Sequence, residues 1–374
     1  MKKLRKQRKL AWTVYAMALA LALPAASQAR GLGFFSLAAT TLSTGNTLAI
    51  TNSTSSQISG GLTITGGTLE ATGGARSFTN AISLNGSFGI GGASALTMNG
   101  TLLNSGNYAI NVTNSAATTF AGNIVLSSGS SPEVLSFQGS GGVTVSGNIS
   151  DGTGAGSSLV VAGTGKVDLT GANTFTGGVT VNGGGTLELD NESCFTGPSI
   201  STGKITLTGG STLLFGANSQ LSTGVNIVSG GGSFINVGNT IQNSLGTLTL
   251  TGTSTIIFSS TAGQTGSINF SASNAKSWTG TLYVDNWSSG DTLSFGTGSS
   301  GLGSGGPVFT NIVFVNPNGS AGDAFAGIGS AGKLSPVPEV GSFVYGGLLS
   351  GLVAFRHRRR LQAWLRNPSS AKAL

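Results

Sequence analysis

Short apolar triplets alternate with Gly, Ser, Thr and Asn along most of the chain, and residues 158–191 show the pattern most clearly. Apolar triplets stand at 159–161, 167–169, 179–181 and 187–189, with Phe175 alone between two of them. In each triplet the middle residue faces away from its neighbours, the period-2 signature of a strand with one buried side. The intervening segments 163–165, 171–173 and 182–185 are Gly, Thr, Ala and Asn, residues that tolerate the positive φ of tight corners. Strands of about five residues cannot bury a core alone, so these units must stack.

Taking the first apolar residue of one triplet per turn gives Leu62, Ile82, Leu102, Ile124, Val143, Val167, Leu187, Ile205, Val225, Leu248 and Ile268. Eleven positions separated by 18 to 24 residues describe a solenoid with irregular corners. At a spacing of ~4.8 Å per coil, about a dozen coils make a rod ~60 Å long. The spacing predicts parallel pairing through 45–275, with Val167, Leu169, Leu187, Leu189, Ile205 and Leu207 in one core. A β-sandwich is the competing architecture, but sandwiches use longer strands and tolerate less Gly.

The run 163–189 resembles the autotransporter-associated β-strand repeat, also called the passenger-associated repeat. Gly165, Val167, Leu169, Gly171, Asn173, Phe175, Gly177, Thr180, Val181 and Leu187 match its pattern. The resemblance implies a right-handed parallel β-helix (β-solenoid), all-β, on a bacterial surface protein.

Composition agrees with stacked coils. The chain has 63 Gly, only 8% charged residues, and 38% hydrophobic residues at a mean hydropathy of +0.22. It is too apolar for a disordered linker. The net charge of +7 resides at the ends: six cations lie in the first nine positions and six after residue 355. Residues 30–335 carry six basic and ten acidic side chains, so no nucleic-acid partner is expected. Cys194 is the single cysteine and His357 the single histidine. Intrachain disulfides, Cys-rich zinc sites, Ser-His-Asp triads and His-ligated metals in the exported part are therefore excluded, and no cofactor is expected.

The ends read as export signals. Residues 1–29 form a signal peptide with a helical apolar run at 10–23, and Ser27 and Ala29 are the small residues of the signal-peptidase site. Residues 30–276 are the repeat region. Residues 277–317 are aromatic-rich and read as a cap, in which Trp278, Tyr283 and Trp287 cover the open coil end; an aromatic carbohydrate platform is the alternative. Residues 318–336, rich in Gly, Ala, Ser and Pro, read as a tether. Residues 337–374 combine Val337, Pro338 and Glu339, an apolar run at 341–355, and the cluster Arg356, Arg358, Arg359 and Arg360. This layout resembles the PEP-CTERM sorting domain, with Val340 in place of the second Pro of its box. The resemblance implies a short C-terminal transmembrane helix, a cytoplasmic Arg cluster acting as a membrane stop, and cleavage by an exosortase-type sorting protease. From Val340 to Phe355 a helix would span about 24 Å, short of a hydrocarbon core of ~30 Å.

Acidic residues are the remaining route to catalysis. Asp168 and Glu188 are 20 positions apart at equivalent middle positions and should stack on adjacent coils facing solvent, with Asp190 and Glu192 following. Lys166 and Lys204 are the nearby cations, expected one position out of the acidic register. The expected function is a non-enzymatic structural or adhesive surface or matrix protein. Its partners would be the export machinery, the membrane through 341–355 and an extracellular polysaccharide. A polysaccharide lyase or hydrolase on the same scaffold is the alternative. Self-transport is not expected, because nothing after residue 318 reads as the eight or more amphipathic strands of a membrane barrel.

Overall fold

The computed structural model describes residues 40–51, 58, 60–192, 194–195, 204–303, 308–319, 322–329 and 331–337. The signal peptide with Ser27 and Ala29 lies outside the described residues. So do Pro338, Glu339, the run 341–355 and the cluster Arg356, Arg358, Arg359 and Arg360. Among the described residues no helix is long and apolar enough to cross a membrane.

The chain winds as a parallel β-solenoid with three sides. Sheet A has six strands, from Thr40–Leu42 to Ile149–Gly152. Sheet B has ten, from Thr47–Ile50 to Leu248–Leu250. Sheet C has thirteen, of which eleven run parallel from Arg76–Phe78 to Val308–Phe314. A further three-stranded sheet, Ile241–Leu245, Ser267–Phe270 and Thr292–Phe295, belongs to the later coils. Between Ile149–Gly152 and Ile241–Leu245 the corresponding stretch of coil is held by single bonds. Asn173 bridges Phe195, and the Phe195 N–H donates to the Gln220 carbonyl at 3.1 Å.

Each strand buries every second residue. In Lys166–Leu169 and Thr186–Leu189, Val167, Leu169, Leu187 and Leu189 are buried. Ile205 and Leu207 are equally buried on sheet B, paired with Val179 and Val181. The six expected core residues therefore share one interior. The eleven-turn count also survives, but the positions chosen to represent it do not lie on one side. Leu62, Ile82, Leu102 and Ile124 stack in register on sheet A. Val143, Val167 and Leu187 stack on sheet C. Ile205 and Leu248 belong to sheet B and Ile268 to the later three-stranded sheet. The side that sheet A occupied holds Asn173, Cys194 and Gln220 in the middle coils, all fully buried, so no apolar triplet marks it there.

Corners are made by close backbone approach. A Cβ on Gly147 would lie 2.1 Å from the Gly122 carbonyl oxygen of the preceding coil, and one on Gly171 would lie 2.3 Å from that of Gly147. Beside this column the Asn148 N–H donates to Asn123 Oδ1 at 3.1 Å and the Ala172 N–H to Asn148 Oδ1 at 3.0 Å. Asparagine side chains thus satisfy the corner amides that no sheet partner reaches.

Two expectations for the C-terminal part are corrected. The aromatic block 277–317 continues the winding, through Leu282–Asp285, Thr292–Phe295 and Val308–Phe314. Trp278 and Trp287 are buried inside it. Trp287 packs edge-on against Phe258 at 5.4 Å and Phe314 at 4.9 Å, and the Trp278 indole N–H donates to the Leu248 carbonyl at 3.2 Å. The supposed tether 318–336 instead carries the strands Ala324–Ile328 and Leu334–Val337. These pair antiparallel and extend sheet C by two strands. Ala324, Ala326 and Leu334 are buried, and those contacts outweigh a linker-like composition. Pro336 sits in the last strand, where its missing N–H discourages further edge pairing.

Candidate functional site

The acidic pair forms as expected. Asp168 and Glu188 are register partners on adjacent strands of sheet C, both on the side turned away from the core. Lys166 is two residues before Asp168 and so projects to the same side. Its Nζ donates to Glu188 Oε2 and makes the one ion pair among the described residues. The expected one-position offset of Lys166 is therefore wrong. Lys204 opens the strand Lys204–Leu207 on sheet B, away from the pair.

Burial raises the Asp168 carboxyl above its ordinary range, helped by the negative charges of Glu188 and Asp190 and opposed by Lys166. Asp168 Oδ1 is buried without a hydrogen-bond partner. Lys166 is held above its ordinary value chiefly by its bond to Glu188. Two carboxyls beside a cation are a general acid–base arrangement in kind. Its surroundings are poor for catalysis. The row continues into Thr144 on one side and Leu214 on the other, on the outer surface of a sheet. No group of three or more His, Cys, Asp or Glu able to hold a metal occurs among the described residues.

Two other carboxylates fasten coils together. Asp151 Oδ2 accepts from the Thr176 N–H at 2.9 Å and hydroxyl at 2.6 Å. Asp291, fully buried, accepts from the N–H groups of Gly266 at 2.7 Å and Ser288 at 2.6 Å. Cys194 is buried and its thiol is pushed up to about 12 by desolvation, though Asn173 Nδ2 lies 3.3 Å from its sulfur. It is an inert interior residue.

Of the three aromatic residues suggested as a sugar platform, only Tyr283 reaches solvent, at 37% exposure. The two indoles face the interior, which overturns that alternative. Sequence reading missed a different row. Phe234, Thr255, Tyr283, Val313, Phe325 and Val337 are successive register partners across the outer face of sheet C. The signal was available in the alternation, since Phe234 precedes the buried Ile235.

Nine of the ten residues that carried the repeat resemblance are core, corner or buried hydrogen-bonding positions, and Thr180 is an outward strand position. Val167, Leu169, Phe175, Val181 and Leu187 are core. Asn173 is buried, its Oδ1 accepting from the Ile149 N–H and its Nδ2 donating to the Cys194 carbonyl, each at 3.0 Å. A Cβ on Gly165 or Gly177 would meet the carbonyl oxygen of the coil before, at 2.4 Å and 2.2 Å. No curated protein and no solved structure matches the chain. The family model of the passenger-associated-transport-repeat matches residues 159–197, and this repeat seated on a parallel solenoid fits an autotransporter-associated, passenger-like surface protein.

Proposed function

We propose that this chain is an exported, non-catalytic rod with a structural or adhesive role at the cell surface or in the extracellular matrix. The observation that carries the reading is the passenger repeat matched at 159–197, whose described strands lie in the parallel solenoid. In this reading the general secretion machinery exports the chain, and signal peptidase cuts after Ala29. Residues 341–355 hold it in the membrane, with Arg356, Arg358, Arg359 and Arg360 as the stop, until an exosortase-type protease cuts near Pro338 and Glu339. An extracellular polysaccharide is its partner. Four arginines oppose translocation at roughly 2.5–3.5 kcal/mol each on insertion scales. Deleting 337–374 should release the rod into the medium or periplasm. Mass spectrometry of the surface-associated wild-type form should find a C-terminus near residue 339, and intact Leu374 on that form would refute sorting by cleavage.

A polysaccharide lyase or hydrolase is the second reading, favoured by the meeting of Lys166, Asp168 and Glu188. The outward, sheet-surface setting of that trio supports a solubilising role instead.

A further inference from the structure

We infer that the groove along the later three-stranded sheet is a binding site for an uncharged glycan, an inference that rests on the adhesive reading above. The groove holds about 580 Å³, within the roughly 300–1,000 Å³ of ligand sites. Its polar lining includes Ser244, Asn269, Ser271, Ser294, Thr297 and Ser300. Among the described residues no Asp, Glu, Lys, Arg, His or Cys lines it.

Three of these side chains come from three neighbouring strands. Asn269 and Ser294 are register partners, and Ser294 Oγ donates to Asn269 Oδ1 at 2.5 Å. Asn269 Nδ2 in turn donates to Ser267 Oγ at 3.2 Å. Ser244 has a φ of 60° and lies where the register shifts between Gln242 and Leu245. Non-glycine residues held in that conformation concentrate at functional sites. Beneath the groove the buried rings of Phe270 and Phe295 stack at 5.3 Å and 13°. The wall loops are tied down by the Ser273 N–H donating to the Gly301 carbonyl at 2.6 Å and Ser271 Oγ to that of Leu245 at 2.9 Å. The site is thus formed before any ligand arrives.

Hydroxyls and amides both donate and accept, as sugar hydroxyls require. The lining side chains themselves supply no countercharge, the cation beside them being the exposed Lys333 that bridges Ser294, and a charged ligand would lose hydration among hydroxyls and amides. Rows recur at the coil spacing, ~4.8 Å, close to the length of one sugar unit in an extended chain. A peptide strand has no edge to join, because Thr292–Phe295 already bonds the segment beside Lys333: Ser294 bridges Lys333, and the Phe295 N–H donates to the Gly332 carbonyl at 2.9 Å.

Affinity electrophoresis of the purified full-length chain tests this, with dextran, glucomannan or a soluble β-glucan cast in the gel, and alginate and gelatin as comparators. At least one neutral glycan should retard the chain, and alginate and gelatin should not. Asn269→Ala should weaken retardation about tenfold, the scale of one lost hydrogen bond. Thr297→Trp, at an exposed position, should abolish it by filling the groove while leaving the melting temperature unchanged. Retardation by no neutral glycan, by alginate or gelatin as strongly, or equally in folded Thr297→Trp would overturn the inference. Since this assay reads binding by purified protein, its failure leaves the surface location of the rod untouched.

Discussion

Leu187 and Glu188 are neighbours in one strand with opposite surroundings. Leu187 is fully buried between Val167 and Leu213 of the adjoining coils. Glu188 reaches outward to Lys166, whose side chain is 52% exposed. An aspartate at position 187 would place an unpaired charge between stacked coils, so Leu187→Asp should cost several kcal/mol. Glu188→Ala removes a partly exposed ion pair on the sheet surface, worth ~0–1 kcal/mol, and also relieves Asp168 of a like charge, so it should be close to neutral. Thermal unfolding of the two variants checks the register. Similar melting temperatures would count against this register.

Among the elements, the corners are less forgiving than the strands. Gly147→Ala would press a methyl against the Gly122 carbonyl, a backbone atom that cannot rotate away. It should cost about 2 kcal/mol or more, the range of other steric and strain lesions. Gly129→Ala, with nothing within 4 Å, should be nearly neutral, and denaturant titration separates the two. The apolar triplets were legible in the sequence because buried and exposed residues alternate strictly in each strand. Side assignment was not, because corner lengths vary and the middle coils replace an apolar triplet with Asn173, Cys194 and Gln220. Nothing in a one-letter pattern shows that a buried amide is serving as a strand. The pair Asp168 and Glu188 was legible for the same reason as the triplets, and Lys166 follows from the same two-residue alternation. Residues 318–336 misled because Gly, Ala and Ser describe both a linker and a tightly paired antiparallel edge. Their burial against Val308–Phe314 is a tertiary fact. The glycan groove was illegible because its side chains, Ser244, Asn269 and Ser294, come from three separate coils and only stacking brings them together.

As a whole molecule the solenoid stacks eleven parallel strands on sheet C, a rod of ~50 Å at the spacing of paired strands. Each coil touches only its neighbours, so stability accumulates along the rod. Its end is blunted by the antiparallel strands and by Pro336 rather than left open for pairing. Few charges, a hydroxyl-rich surface and a passenger repeat describe a molecule suited to extending from a surface. The most direct measurement is labelling of intact host cells with an antibody raised against the solenoid. The account predicts that intact cells label as strongly as permeabilised ones. Signal that emerges only after permeabilisation would contradict it.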